Sequence, residues 1–118
     1  MSSRSGKWQL FVMDAEGGNQ RQITHTATNE FNPEWAPDGT RLVFESTRNG
    51  GDKDDIYVID ADGRNDVRLT RITANAVFPS WSPDGKQIAF CTVEREQGDV
   101  PGIFVLTVIS AARRRLAK

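Results

Sequence analysis

The chain of 118 residues is poor in several things that chemistry usually requires. It has one cysteine, Cys91, so it can close no internal disulfide and build no cysteine-based metal cluster. Its place in the apolar run Ile88-Ala89-Phe90-Cys91 predicts a buried structural thiol. It has one histidine, His25, on which any imidazole zinc site or Ser-His-Asp triad would depend. No Gly-x-Ser-x-Gly elbow and no phosphate-binding glycine loop occurs. There is no excess of one charge. A formal net charge of -1 supplies no basic face for nucleic acid. The only basic run, Arg113-Arg114-Arg115, reads as a solvated end. No apolar run is long enough to cross a bilayer, so membrane insertion is not expected. Residues 1–7 lack the apolar core of a signal peptide and read as a disordered lead. Apolar residues rarely fall at helical spacing, which excludes helical repeats.

What is present is a repeat. Trp35-Ala36-Pro37-Asp38-Gly39 returns as Trp81-Ser82-Pro83-Asp84-Gly85, 46 positions later (35 to 81). Each copy is an aromatic residue followed by a tight turn. Proline presets φ, aspartate bonds its own following backbone, and glycine accepts positive φ. A short apolar strand follows each: Leu42-Val43-Phe44 and Ile88-Ala89-Phe90. The register extends further. Leu10-Phe11-Val12-Met13 matches Ile56-Tyr57-Val58-Ile59, and Asp14-Ala15-Glu16-Gly17 matches Asp60-Ala61-Asp62-Gly63. Gln22-Ile23-Thr24 matches Arg68-Leu69-Thr70, with no gap needed between residues 10 and 44. A third copy starts at Ile103-Phe104-Val105-Leu106 and decays, as a terminal repeat does, with Arg115-Leu116-Ala117 at the last strand position.

Repetition at this period in a strand-rich chain predicts propeller blades, each of four antiparallel strands over roughly 40 to 50 residues. With strands named A to D from the centre outwards, the Trp-x-Pro-Asp-Gly turn joins A to B. The loop Asn49 to Asp55 joins B to C, and Asp-Ala-Asp/Glu-Gly joins C to D. Ile56 to Ile59 is apolar without alternation, as in a strand covered on both faces. The expected fold is all-β, with a half blade over 8–28, a blade over 29–74 and a degenerate terminal blade over 75–118. That is about two and a half blades, whereas a ring closes with roughly 4 to 8. The expectation is a piece of a longer propeller, or several chains sharing a ring. Blade edges left open in this way predict self-association.

The stretches Ile56 to Gly63, Arg68 to Thr70 and Pro79 to Phe90 together resemble the TolB-type, WD-repeat-like β-propeller repeat. A looser copy runs from Leu10 through Phe44, so the resemblance covers nearly everything after residue 7. It implies a propeller fold, a role in binding protein partners through blade loops, and a periplasmic location. The same repeat builds the propellers beside peptidase domains of the prolyl oligopeptidase and tricorn kind, which is the alternative reading. Neither a hydrolase domain nor the TolB N-terminal domain has residues here.

The candidate site residues read as scaffold. Trp35 and Trp81 recur in register and read as blade-packing anchors rather than stacking platforms. Asp38 and Asp84, and likewise Asp14, Asp60 and Asp62, sit beside glycine in turns, where local hydrogen bonding occupies a carboxylate. Asp52, Asp54 and Asp55 suggest calcium at first sight. The ordered EF-hand spacing is missing, so a solvated loop is expected. His25 aligns with Arg71 and reads as a polar rim residue. No catalytic, cofactor-binding or metal-ligating residue is therefore expected. The loops Arg48 to Asp55 and Glu94 to Gly102 diverge most between copies and are where a partner is expected to bind.

Overall fold

The computed structural model describes residues 7–49 and 53–108. Among them every strand pairing is antiparallel, and no helix occurs. Strands β1 (Phe11–Val12) and β2 (Arg21–Gln22) form a hairpin. Strands β3 (Glu30–Trp35), β4 (Arg41–Ser46), β5 (Asp55–Asp60) and β6 (Val67–Arg68) form a four-stranded meander in that order. Strands β7 (Asn75–Trp81), β8 (Gln87–Val93) and β9 (Gly102–Thr107) form a three-stranded one. These are a C-D hairpin, a full A-B-C-D blade, and the A, B and C strands of the next. The last D strand, expected over 115–117, lies outside the described residues. So do residues 1–6 of the lead, 50–52 of the first B-C loop, and the arginine run 113–115.

The repeated motifs each satisfy a backbone need. In the A-B turns, Gly39 and Gly85 sit at φ 75° and 72°. Their amides donate to the carbonyls of Ala36 and Ser82, both at 2.9 Å. In the C-D turns, Gly17 and Gly63 take φ 87° and 91°. There Asn19 and Asn65, also at positive φ, donate from Nδ2 to Asp14 and Asp60, both at 2.6 Å. The threonines of Ile23-Thr24 and Leu69-Thr70 continue the pairing just past the two-residue D strands. Thr24 Oγ1 accepts the Leu10 amide proton at 2.9 Å, and Thr70 Oγ1 that of Ile56 at 3.1 Å. A side chain takes over where the backbone ladder stops.

Successive sheets pack face to face. One apolar cluster joins the N-terminal hairpin to the full blade: Leu10, Ile23, Leu42, Phe44, Tyr57 and Ile59. The other joins the two larger sheets: Val43, Ile56 and Val58 from one, with Ala76, Trp81, Ile88 and Phe90 from the next. Alternate residues of β4 and β5 thus serve opposite clusters, which is why these strands are apolar throughout.

Two expectations fail, and one physical cause underlies both. Trp81 is buried, at 8 % exposure, but Trp35 is 45 % exposed. Trp81, at the end of β7, packs onto β3, the A strand of the preceding sheet, whereas the hairpin before Trp35 has no A strand among the described residues. Cys91 is not buried but half-buried. It lies on the face of β8 that Glu45 occupies in β4. In β4 that face is covered by the next sheet, and in β8 no sheet among the described residues covers it. On the same face Ile103 is 77 % exposed, while its repeat partner Ile56 is at 0 %.

Candidate functional site

The turn aspartates are held locally. Asp38 Oδ1 accepts from the Thr40 amide at 3.0 Å and its hydroxyl at 2.8 Å. Asp84 Oδ1 accepts from the Ser82 hydroxyl at 2.6 Å and the Lys86 amide at 3.0 Å. These bonds favour the charged form and hold both carboxyls below the usual range: Thr40 leads at Asp38, and Ser82 at Asp84. Asp62 Oδ1 accepts the Arg64 amide proton at 2.9 Å. His25 and Arg71 are both exposed.

Asp55 corrects the solvated-loop reading. It is the first residue of β5 and is fully buried. Its carboxylate accepts from Lys53 Nζ at 2.7 Å, Thr70 Oγ1 at 2.9 Å and Arg68 at 3.3 Å. It ties the B-C loop to the D strand, while Asp52 lies outside the described residues. Asp54 is partly buried, and its amide donates to Asn75 Oδ1 at 2.9 Å.

Sequence reasoning missed two other buried acids, Glu30 and Glu45. Glu30 takes a guanidinium bond from Arg48 at 2.8 Å and a hydroxyl bond from Thr26 at 2.9 Å. Glu45 Oε2 accepts from Asn32 Nδ2 at 2.7 Å and from the Phe78 amide at 2.8 Å. Burial raises both carboxyls above their ordinary value, against the pull of Ser46 and Arg48 on Glu30 and of Asn32 on Glu45. Asn32 and Phe78 stand at equivalent positions in β3 and β7, at bulges with φ 53° and 54°. Asparagine tolerates that conformation; phenylalanine ordinarily does not. Glu45 therefore pins both bulges and couples the two sheets. The only sequence signal was an acid inside an otherwise apolar strand, Leu42-Val43-Phe44-Glu45.

The two B-C loops are organised differently. In the first, Arg48 spans Glu30 and Asp66, both at 2.8 Å, and lies over the Tyr57 ring at 4.1 Å. Asn49 bonds the Tyr57 hydroxyl. In the second, Asp99 Oδ2 accepts the amides of Arg95 and Glu96 at 3.1 and 2.8 Å, and Oδ1 the Thr73 hydroxyl. Val100 projects from it, exposed. Among the described residues no group of three or more His, Cys, Asp or Glu side chains is arranged to hold a metal ion.

Strands meandering from a tight A-B turn, stacked sheet on sheet at a fixed repeat, define β-propeller blades. The particular propeller they resemble is TolB. The chain superposes on TolB from Agrobacterium tumefaciens with a TM-score of 0.73 at 24 % identity, over 84 % of this chain and 37 % of that one. For TolB from Acinetobacter baumannii the TM-score is 0.67 at 23 % identity, over 84 % and 24 %. An oligogalacturonate lyase in complex with manganese gives 0.61 at 21 % identity. In sequence, a Tol-Pal system protein TolB from Anaeromyxobacter is 38 % identical over 45 residues. A dipeptidyl-peptidase 5 from Porphyromonas gingivalis is 40 % identical over 42. These stretches cover 38 % and 36 % of this chain but only 10 % and 6 % of those proteins. No protein-family model matches the chain. The fold is a partial TolB-like propeller.

Proposed function

We propose that this chain is a non-catalytic protein-interaction module of a TolB-like propeller, working in the periplasm. Residues 8–118 form one run of blades in this reading, divided near 28 and 74. The observation that carries it is where the acids go. Asp38, Asp84, Asp55, Glu30 and Glu45 are all engaged in holding turns, loops and sheets together. What varies between the copies, and so is available for a partner, is the pair of B-C loops. The likeness to a peptidase and to a lyase rests on the shared repeat and supports the scaffold rather than an activity. The test replaces residues 94–101 by a glycine-serine loop of equal length in the full chain. Partners captured from periplasmic extract by the parent, and lost by this folded variant, support the reading. Turnover of peptide or oligogalacturonate substrates by the parent overturns it.

A further inference from the structure

The two blades carry the same aromatic pair in two different states. Phe44 and Tyr57 stack at 5.8 Å between centroids and 24° between planes. Their counterparts Phe90 and Phe104 stack at 6.1 Å and 26°. The two pairs are cross-strand neighbours in the same register. Over the first pair lies a guanidinium: Arg48 is 4.1 Å from the Tyr57 centroid and 5.8 Å from that of Phe44. Glu94 stands at the position equivalent to Arg48. Beside the second pair there is a cleft of about 250 Å³, whose lining includes Ile72, Ala74, Val100 and Asp99.

The substitutions around it are concerted. Thr26, Thr28 and Glu30 of the first copy become Ile72, Ala74 and Ala76 in the second. The filled site has polar walls around its own cation. The open one has mostly apolar walls, interrupted by Thr73 and Thr92, and acids on its loop: Glu94, Glu96 and Asp99 against Arg95, which pairs with Glu96 at 3.6 Å. Apolar walls suit the aliphatic stem of a long cationic side chain, an aromatic face suits its head, and the carboxylates suit its charge. A planar guanidinium meets all three better than an ammonium does.

We propose that this cleft receives an arginine side chain presented by a partner protein. The inserted arginine lays its stem along Ile72 and Val100, faces the Phe90–Phe104 pair and donates to Asp99 Oδ1, which accepts the Thr73 hydroxyl with one lone pair and has a second to offer, while Oδ2 stays on the Arg95 and Glu96 amides. This assignment deepens the reading of the chain as an interaction module and gives that module a chemistry.

The test is an NMR titration of the isotope-labelled full chain with three capped tripeptides, Gly-X-Gly, where X is arginine, citrulline or leucine. The expected result is saturable shifts at residues 72–74 and 98–104 with arginine, weakened by about tenfold or more with the uncharged peptides. Two conservative variants, Phe104→Leu and Asp99→Asn, should each weaken the arginine peptide. Glu94→Arg should rebuild the arrangement of the first blade, fill the cleft from within and abolish binding. Should either conservative variant unfold, Glu94→Arg decides alone. Equal binding of leucine or citrulline, or undiminished binding to Glu94→Arg, overturns the assignment. Replacing Arg113, Arg114 and Arg115 by serine tests the chain's own cations. If that alone shifts residues 98–104 and tightens the peptide, the cleft belongs to the chain itself and the partner assignment falls. Partners lost on replacing the 94–101 loop but kept by Glu94→Arg would sink the cleft and leave the interaction module standing.

Discussion

Trp81 and Glu34 clasp each other across the boundary between two sheets. The Trp81 amide donates to the Glu34 carboxylate at 3.0 Å, and the Trp81 indole Nε1 donates to the Glu34 backbone carbonyl at 3.1 Å. Arg41 of the same preceding sheet caps the indole ring, 5.0 Å from its centroid. The repeat position that looked like a packing anchor is thus an anchor onto the previous sheet.

That geometry separates the two tryptophans. Trp81→Ala removes a buried ring and strands its partners, and should cost about 3 to 5 kcal/mol. Trp35→Ala should stay near the roughly 1 kcal/mol of an average point change. Urea midpoints of the two variants check this, and equal midpoints would mean that Trp81 is not an anchor.

Arg48 is the second point of dependence. Arg48→Ala leaves Glu30 buried without its guanidinium, for an expected loss of about 3 kcal/mol. Arg48→Lys should recover only part of this, because an ammonium cannot reach Glu30 and Asp66 as a fork while lying over Tyr57. Denaturation of both variants at neutral pH measures the difference.

Glu45 gives a signed pH dependence. Its folded pKa is raised above the ordinary 4.5, so between these values the folded state holds more protons than the unfolded one. Stability contributed by Glu45 therefore grows as pH falls toward 4.5 and is lost as pH rises through the folded pKa. Glu45→Gln should abolish that slope. Asp84 acts oppositely: its folded pKa lies below 3.8, so its contribution is present above that value and disappears in stronger acid. Unfolding curves of the parent, Glu45→Gln and Asp84→Asn across the acid range separate the two. A parent and a Glu45→Gln variant with parallel pH profiles would contradict the assignment.

The apolar residues exposed on one face of the last described sheet predict association. Ile103 and Val105 are exposed where Ile56 and Val58 are covered. The chain should self-associate at micromolar concentration, and Ile103→Lys with Val105→Lys should shift it toward monomer. Light scattering coupled to size exclusion reads both outcomes. A parent that runs as a monomer with no dye-binding apolar surface would contradict this.

The sequence by itself determined the blades. Turn chemistry at Gly39 and Gly85, the paired Asp14–Asn19 and Asp60–Asn65 corners, and apolar runs at a constant offset are local, so they can be read without coordinates. It also marked the B-C loops as the places of difference. Only the tertiary structure decided which copies of a repeated residue are buried. Trp35 and Trp81 occupy equivalent repeat positions, as do Ile56 and Ile103, and they differ because, among the described residues, a neighbouring sheet covers one and not the other. The same holds for the acids. Asp55 reads as part of a solvated loop because charge normally stays in water, and Glu30 and Glu45 draw no reading at all. Their burial depends on Arg68, Arg48 and Phe78, each 13 to 33 positions away along the chain. Burial of a charge is set by partners that only packing brings together, and no local pattern encodes that.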